Sequence, residues 1–278
     1  MLDFHNSERP GRSSLVQHAY AVDDHIKELK PISQVCRNHH IRPKNFAALS
    51  KARPFLEKAT QDDVLIMDNR LDGVRSLGAL GRDDIDTDGG NLVGLRVLTD
   101  YCDDEEVDVG LRILWSGYRM DGVQQTCERY QDRGVSLYAF KKDDPDDLAL
   151  CEELINEFRL KRHKEFVGEK LGYVEDLFDE WKLSSSERSV FLVFADSTDK
   201  VWKAIHGGTC SMDVEFRCDL IHEIQLTLDA VYGEDNVALH AQWFRAAIDD
   251  LGGISPISFL GEGEITALIQ LVRAMDGP

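Results

Sequence analysis

Four short apolar runs in the first half of the chain each end in side chains that could take part in phosphoryl chemistry. Residues 19–22 lead to Asp23 and Asp24, residues 64–67 to Asp68, residues 111–115 to Ser116, and residues 135–140 to Lys141. Such runs predict β-strands, and the carboxyl ends of parallel strands meet at one edge of an open α/β sheet, where ligands bind. We therefore expect three carboxylates, a hydroxyl and an ammonium group at this edge, a set that suits a divalent cation and a phosphoryl group.

The elements that must position these groups follow an alternating pattern. Over residues 15–158, short apolar runs alternate with helical patterns, which predicts a doubly wound, parallel, five-stranded sheet of the flavodoxin-like class. The weakest strand is the second, around residues 45–47. The candidate helices span residues 25–38, 50–60, 90–104, 121–133 and 144–170. In the last of these helices one apolar stripe is formed by Leu148, Cys151, Ile155 and Phe158.

The order of the polar groups along residues 15–158 resembles the receiver domain of two-component response regulators. This resemblance implies that Asp68 accepts a phosphoryl group from a sensor histidine kinase or a phosphotransfer protein. It also implies that Mg²⁺ is bound by Asp23, Asp24, Asp68 and the backbone carbonyl of Arg70. The domain would then be a phosphate acceptor and not an enzyme, apart from autodephosphorylation.

The same resemblance implies roles for three residues near the ends of the fourth and fifth strands of the sheet. Ser116 would form a hydrogen bond to the phosphoryl group and Lys141 would pair with it. Tyr138, three residues before Lys141, stands where the family has its aromatic switch residue. A phosphohydrolase with Asp68 as nucleophile is the enzyme alternative, but it would need a second acid at position 70, where the chain has Arg70.

Two features depart from the receiver pattern. The residue after Lys141 is Lys142, where the family usually has proline, and a long loop over residues 71–90 follows the third strand. We expect this loop to shield Asp68 or to gate access to it. Residues 84–89 match the opening of an EF-hand calcium loop, but Leu95 stands where such a loop needs a bidentate glutamate. We therefore interpret residues 84–89 as the acidic end of the long loop.

Composition limits the classes of partner. The chain has 278 residues and a net charge of −19, which disfavours binding to nucleic acid phosphates and to anionic membranes. No apolar stretch approaches the length of a membrane span, and the first residues do not resemble a signal peptide. The six cysteines form no C-x-x-C pair, which favours reduced thiols in a cytoplasmic protein and argues against a zinc site.

The second half of the chain predicts an all-helical domain. Candidate helices span residues 173–181, 186–194, 199–206, 213–232 and 236–250, with a final pair near 256–275. Gly207-Gly208, Gly233 and Gly252-Gly253 are expected at helix C-termini, and Ser255-Pro256 is expected to begin a helix. The predicted organisation is a flexible arm (1–14), the receiver domain (15–158), a connecting helix (159–172) and an output domain (173–278).

The predicted output domain resembles the C-terminal domain of the Xre/MbcA/ParS antitoxin family. The resemblance rests on a tryptophan helix at Trp243, the stretch Leu251-Gly252-Gly253-Ile254-Ser255-Pro256 and a last amphipathic helix after Gly263-Glu264. It implies binding of a toxin-like or other protein partner, with homodimerisation. The expected partner-binding residues are apolar: Trp243, Phe244, Ile257, Phe259 and Leu260.

One alternative function is left open by the sequence. In the antitoxin family the N-terminal helices bind DNA, so residues 184–211 could make the protein a receiver-regulated transcription factor. The basic residues of this segment, Arg188, Lys200 and Lys203, are balanced by acids. Because phosphate-binding surfaces need an excess of Lys and Arg, DNA binding is disfavoured and protein binding is favoured.

Overall fold

The computed structural model describes residues 17–117, 122–192, 212–261 and 263–275. The chain divides into two compact units, one of residues 15–162 and one that contains residues 163–278. The predicted arm (1–14), the predicted helix 199–206 and Gly207-Gly208 lie outside the described residues. Among the described helices, none combines the length and the apolar character that crossing a bilayer requires.

The first unit is built on a parallel five-stranded sheet, which confirms the predicted fold class. Its strands are β1 (His18–Val22), β2 (Arg42–Phe46), β3 (Val64–Met67), β6 (Leu111–Ser116) and β7 (Leu137–Lys141). They lie side by side in the order β2-β1-β3-β6-β7, and every pair is parallel. This is the flavodoxin-like order, in which the first, third and fourth strands end beside one another at the point where ligands bind.

Helices cover both faces of this sheet. One face packs against a 3₁₀ turn (Ile26–Leu29), α1 (Lys30–Asn38) and α6 (Pro145–Glu180), and the predicted stripe of α6 lies in this contact. The other face packs against α2 (Leu49–Leu56), α3 (Val93–Arg96) and α5 (Val123–Asp132). Residues of β1 alternate between the two cores, with Ala19 and Ala21 on the α1 side and Tyr20 and Val22 on the α2 side.

Residues 71–90 are not the single loop that the sequence predicts. They contain an antiparallel hairpin of β4 (Ser76–Leu77) and β5 (Arg82–Asp86), joined by a 3₁₀ turn (Gly78–Leu80), and a second 3₁₀ turn follows (Asp88–Gly90). Leu77 of β4, Leu80 of the 3₁₀ turn and Ile85 of β5 are buried in the α2-side core. These three apolar side chains attach the hairpin to the rest of the unit.

Residues 84–89, which match the opening of an EF-hand loop in sequence, make local contacts through their acidic side chains. Asp84 is exposed and pairs with Arg82 at 2.7 Å, and Asp86 accepts a hydrogen bond from the Asp88 backbone at 3.1 Å. The predicted helix 90–104 begins only at Val93, because Gly89 and Gly90 adopt left-handed backbone conformations. It continues through a π-helical turn (Val97–Tyr101) into α4 (Cys102–Asp104).

The second unit is helical in its described part. It contains the C-terminal half of α6, followed by α7 (Ser185–Leu192), α8 (Met212–Tyr232), α9 (Val237–Trp243), a 3₁₀ turn (Asp249–Leu251), α10 (Pro256–Leu260) and α11 (Ile265–Met275). The predicted break between helices 144–170 and 173–181 is wrong, because α6 runs through Gly172 without interruption. A single interior glycine costs a helix only about 1 kcal/mol, which tertiary packing can offset.

Capping hydrogen bonds and left-handed glycines mark several ends of these helices. Ser184 and Glu187 form a reciprocal capping box at the start of α7, and the Ser255 hydroxyl accepts a hydrogen bond from the Ser258 backbone at 3.2 Å. The prediction that Ser255-Pro256 begins a helix is therefore confirmed. Gly233 and Gly252, which follow two of the helices, have left-handed backbones as expected for C-termini.

Candidate phosphoacceptor site

The register of the sheet brings the predicted acids to one edge. Asp23 follows the last residue of β1, Asp68 follows the last residue of β3, and Val22 is paired with Met67 in the parallel ladder. The Asp68 backbone N–H donates to the Val22 carbonyl at 2.9 Å, which holds the two strand ends together. Asp23, Asp24 and Asp68 thus lie at the C-terminal edge that the sequence predicts.

Lys142 is the central cation of this cluster. Its ammonium nitrogen lies 2.6 Å from Asp23 Oδ2, 2.8 Å from Glu28 Oε2 and 3.0 Å from Asp68 Oδ2. The Lys142 side chain is 6% exposed, so these three carboxylates surround an almost fully buried charge. Charge-assisted contacts of this length are stronger than neutral hydrogen bonds, and they fix the lysine against the phosphoacceptor candidate.

Lys141, which the sequence predicts for this role, lies elsewhere. It is the last residue of β7, its side chain is exposed, and its backbone N–H donates to Asp147 Oδ2 at 2.7 Å. Side chains alternate across a strand, so Lys142 points to the same side of the sheet as Phe140, which is the α1 side, where Asp23 also lies. Lys141 points to the other side. The Lys142 backbone N–H donates to the Ser116 carbonyl at 2.9 Å and keeps Lys142 at the sheet edge.

Glu28 is a member of the cluster that sequence reasoning missed. It lies in the 3₁₀ turn Ile26–Leu29, and its carboxylate is half exposed at the mouth of the site. Its position five residues after Asp23 predicts no particular contact by itself. Only the reversal of the chain after β1 brings Glu28 to Lys142.

The two consecutive acids have different environments. Asp23 is fully buried, and its two oxygens accept from the His25 backbone at 2.7 Å and from Lys142. Asp24 is partly exposed and accepts from the Asp72 backbone at 3.1 Å, beside the His25 ring at 3.0 Å. Burial opposes ionisation of Asp24, but these hydrogen bonds outweigh it and hold the pKa of Asp24 below its usual value.

The ionised form of Asp68 is disfavoured by its surroundings. Burial raises the pKa of the Asp68 carboxyl above its ordinary value, and Lys142 and a hydrogen bond from the Arg70 backbone only partly oppose this effect. Burial also disfavours the charged form of Lys142, but hydrogen bonds to Asp23 and Glu28 and the charge of Asp68 raise the pKa of Lys142 above its usual range. Lys142 therefore remains a cation at neutral pH.

A cleft of about 270 Å³ opens beside these residues. It is lined by eight residues: Asp24, His25, Glu28, Asp68, Arg70, Asp72, Gly117 and Lys142. An all-oxygen set with few carboxylates is what Mg²⁺ takes in proteins, since it keeps several of its waters. Asp24 and Asp68 line the cleft and fit this requirement, whereas Asp23 does not line it. Lys142 contacts both Asp23 and Asp68. No hairpin residue from β4 or β5 lines the cleft, and only Arg70 and Asp72 reach it from that side.

Ser116 and Tyr138 lie on opposite faces of the sheet. Ser116 is buried at the end of β6, and alternation places it on the α2 side with Leu114. Tyr138 packs into the core on the α1 side, together with Phe140. Side chains two or four residues apart on a strand point to the same face, so Tyr138, Phe140 and Lys142 all point to the α1 side. The ring of Tyr138 is therefore not on the face that Ser116 occupies. The residues of β7 that pack on the Ser116 face are Leu137 and Ala139.

The expected partner-binding residues of the helical unit are of two kinds. Phe244 and Leu260 are buried in its core, where Phe244 contacts Trp181 with ring centroids 4.4 Å apart. They are core residues and offer no surface to a partner, which corrects that part of the prediction. Trp243, Ile257 and Phe259 also pack against the core but remain partly exposed. The sequence pattern of an apolar turn does not distinguish these two outcomes.

The predicted DNA-binding segment is only partly described. Residues 193–211 of the range 184–211 lie outside the described residues. In the remainder, Arg188 pairs with Asp179 and donates to the Leu183 carbonyl, so its charge is used within the unit. Glu187 in turn accepts from Arg245 at 2.8 Å.

Comparison with known proteins gives weak similarity to response regulators. No protein-family model and no curated protein matches the chain. A response regulator from Colwellia psychrerythraea is 19% identical, with 52% of this chain and 99% of that chain covered and a TM-score of 0.35. Response regulator StyR is 14% identical (82% and 97% covered, TM-score 0.33), and full-length FixJ from B. japonicum is 14% identical (93% and 97% covered, TM-score 0.33). Because these scores are low, the fold assignment rests on the observed strand order alone.

Proposed function

We propose that the chain is a two-component response regulator whose first unit accepts a phosphoryl group on Asp68. The observation that carries this proposal is the contact of 3.0 Å between Lys142 Nζ and Asp68 Oδ2 at the C-terminal edge of a flavodoxin-like sheet. A carboxylate that lines an open cleft and faces a fixed cation is suited to accept a phosphoryl group, because the cation stabilises negative charge on the transferred group. The phosphate donor would be a sensor histidine kinase or a phosphotransfer protein.

The proposed transfer forms one bond and breaks one bond. An oxygen of the Asp68 carboxylate attacks the phosphorus, the P–N bond to the donor histidine breaks, and the electron pair returns to the imidazole, which takes up a proton. Lys142 gives up its contact with the attacking Asp68 carboxylate in favour of a phosphoryl oxygen. Ser116, at the end of the neighbouring strand, is proposed to form a hydrogen bond to a second phosphoryl oxygen. In this proposal Lys142 replaces Lys141 as the phosphoryl-pairing residue.

Mg²⁺ is the metal that the site fits. Asp24, Asp68 and the backbone carbonyl of Arg70 would hold it in the cleft, and Asp23 would help to fix Lys142 beside them. When bound, the ion would neutralise charge on the phosphoryl oxygens.

Labelling of Asp68 tests the phosphorylation proposal. Incubation of the full chain with Mg²⁺ and acetyl phosphate or phosphoramidate is expected to raise the intact mass by one phosphoryl group. Asp68→Asn should abolish the increase, whereas Asp72→Asn, which changes an exposed acid at the same cleft, should retain it. Labelling that persists in Asp68→Asn, or a wild-type chain that no donor labels, would overturn the assignment.

The Asp68→Asn variant should remain folded in this test. The folded-state pKa of Asp68 is raised, so the stability contributed by this group is fully present below its unfolded-state pKa and is lost as the pH rises through its folded-state pKa. At neutral pH ionised Asp68 therefore does not stabilise the fold. Asp68→Asn is expected to unfold at a denaturant concentration no lower than that of the wild type.

We propose that the helical unit binds a protein and not DNA. Two observations support this. Three of its described cations, Lys170, Arg188 and Arg245, are engaged in internal ion pairs. A partly apolar groove of about 180 Å³ is lined by Val231, Trp243, Ile248 and Met275, among others. The antitoxin-like turn around Gly252-Gly253 borders this groove and suggests a toxin-like partner. The transcription-factor alternative through residues 184–211 predicts DNA binding that weakens steeply with salt.

A binding experiment with the full chain distinguishes the two output functions. DNA from the chain's own locus is titrated at low and moderate salt, beside a pull-down with neighbouring gene products. We expect a specific protein partner whose binding is reduced by Val231→Glu at the exposed rim of the groove. Tight, salt-sensitive and sequence-specific DNA binding without a protein partner would favour the transcription-factor alternative.

A further inference from the structure

Charge is strongly segregated on the α2 side of the first unit. Residues 42–58 carry five Lys or Arg and one acid, although the chain as a whole has a net charge of −19. Residues 83–106 carry nine Asp or Glu and one Arg. We call the first group the basic surface (Arg42, Lys44, Lys51, Arg53 and Lys58) and the second the acidic surface (Asp83, Asp84, Asp86, Asp104 and Glu105).

Much of this charge is not engaged in an ion pair within the described part of the chain. Within the described part of the chain, Arg42, Lys51 and Lys58 form no ion pair, and all three are exposed. On the acidic surface, Arg82 pairs with Asp84, Asp104 and Glu105, but Asp83 and Asp86 are exposed and form no ion pair among the described residues. Both surfaces therefore retain charge that another molecule can engage.

The basic surface surrounds an aromatic patch. The rings of Phe46 and Phe55 lie 5.0 Å apart, both are only partly buried, and Lys44 lies over the Phe55 ring at 4.8 Å. A partly exposed aromatic pair inside a charged rim is the composition found at protein interfaces, where aromatic residues anchor the centre and charged residues form the rim.

The two surfaces adjoin each other on one molecule. Helix α2 packs against the 3₁₀ turn Gly78–Leu80 of the hairpin, and the Arg53 guanidinium lies about 3.5 Å from where a side chain on Gly81 would begin. A two-fold axis at this border would place the basic surface of each copy on the acidic surface of the other. Such an interface is isologous and closes as a dimer, so it does not lead to open filaments.

We propose that this face is a homodimer interface in which the basic surface of one copy binds the acidic surface of a second copy. The occupant is a second copy because the complementary acidic surface belongs to the same chain and borders the basic surface. The hairpin Ser76 to Asp86 supplies three of its acids, Asp83, Asp84 and Asp86, and this hairpin is the segment that departs from the receiver pattern. This dimer does not depend on phosphorylation of Asp68, so the two proposals can fail separately.

Charge exchange between two variants of the full chain tests the dimer. The basic-reversed variant carries Lys51→Glu and Lys58→Glu, and the acidic-reversed variant carries Asp83→Lys and Asp86→Lys. Each variant alone places like charges opposite each other in both halves of the dimer, and we expect its dimer dissociation constant to rise at least about tenfold. In an equimolar mixture the attraction is restored at both contacts, so a heterodimer should form with near wild-type affinity.

Sedimentation equilibrium at low and high salt gives the association states. The control variant carries Lys30→Glu and Arg37→Glu, the same change in net charge on α1, which packs on the opposite face of the sheet. It should dimerise as the wild type does, and the wild-type dimer should weaken as salt screens the contact. A monomeric wild type, a dimer that neither reversed variant weakens, or a mixture that forms no heterodimer would each overturn the proposal. Circular dichroism of each variant verifies that it is folded.

Discussion

The ammonium group of Lys142 lies 3.0 Å from the carboxylate of Asp68, although Lys142 is one residue beyond the end of β7. The same nitrogen contacts Asp23 and Glu28, so three carboxylates share one buried cation. The phosphoacceptor candidate is therefore held by a network and not by a single pair.

Removal of the shared cation should destabilise the first unit. Lys142→Met leaves Asp23, Glu28 and Asp68 together without a counter-charge, and breaking a buried ion pair by removing one partner costs about 3 kcal/mol or more. We expect a loss of that order in the free energy of unfolding, measured by urea denaturation at pH 7. Lys141→Met, which removes the exposed neighbour, should change it by less than about 0.5 kcal/mol. Equal losses in the two variants would contradict the central role of Lys142.

Asp24 should determine the affinity for Mg²⁺. Asp24→Ala removes a carboxylate that lines the cleft, so calorimetric titration should show Mg²⁺ binding that is weaker by roughly tenfold. Asp72→Ala is the matched control, because it keeps the backbone N–H that donates to Asp24. It removes an exposed carboxylate that pairs with the exposed Arg70 side chain, and the proposed metal site uses only the backbone carbonyl of Arg70. The assigned metal site would be wrong if Asp24→Ala left the Mg²⁺ affinity unchanged.

Glu187 should stabilise the helical unit in a pH-dependent way. Burial opposes its ionisation, but hydrogen bonds from Ser184 and Arg245 lower the pKa of Glu187 below its ordinary value. A carboxylate with a lowered folded-state pKa stabilises the fold at a pH above its unfolded-state pKa, which is near 4.5 for Glu187. This contribution is lost as the pH falls through the folded-state pKa.

The matching experiment compares Glu187→Gln with wild type across this range of pH. We expect a loss of about 1 kcal/mol in unfolding free energy at pH 7 that shrinks as the pH falls below 4.5. Glu180→Gln, at the end of α6, has no such capping contact and should show little change at any pH. A Glu187→Gln loss that stays constant down to low pH would show that the carboxylate charge is not responsible.

Phe244 should act as a core residue and not as a partner contact. Phe244→Ala removes a fully buried ring that packs on Trp181 and Phe191, and such a deletion costs about 3–5 kcal/mol. Thermal and chemical unfolding should detect this loss, whereas Ile254→Ala, at a residue that is 43% exposed, should leave stability within about 0.5 kcal/mol. A Phe244→Ala variant of wild-type stability would restore the interpretation of Phe244 as a binding residue.

Local pattern in the sequence determined the fold class, the acid positions and several helix ends. Alternating apolar runs predicted the parallel sheet, and the stripe of Leu148, Cys151, Ile155 and Phe158 packs as predicted. The start of α10 at Ser255-Pro256 was also predicted. These features depend on periodicity and on capping within a few residues, so neighbouring residues contain the necessary information.

Three features were decided by the tertiary structure alone. They are the choice of the lysine that contacts Asp68, the burial of particular apolar residues in the helical unit, and the hairpin within residues 71–90. The choice between Lys141 and Lys142 depends on where the chain leaves β7 and to which side of the sheet each side chain points. A shift of one residue reverses that side, because strand side chains alternate with a period of two. Phe244 is buried only because helices that are distant in sequence meet around it, and no local pattern contains that contact.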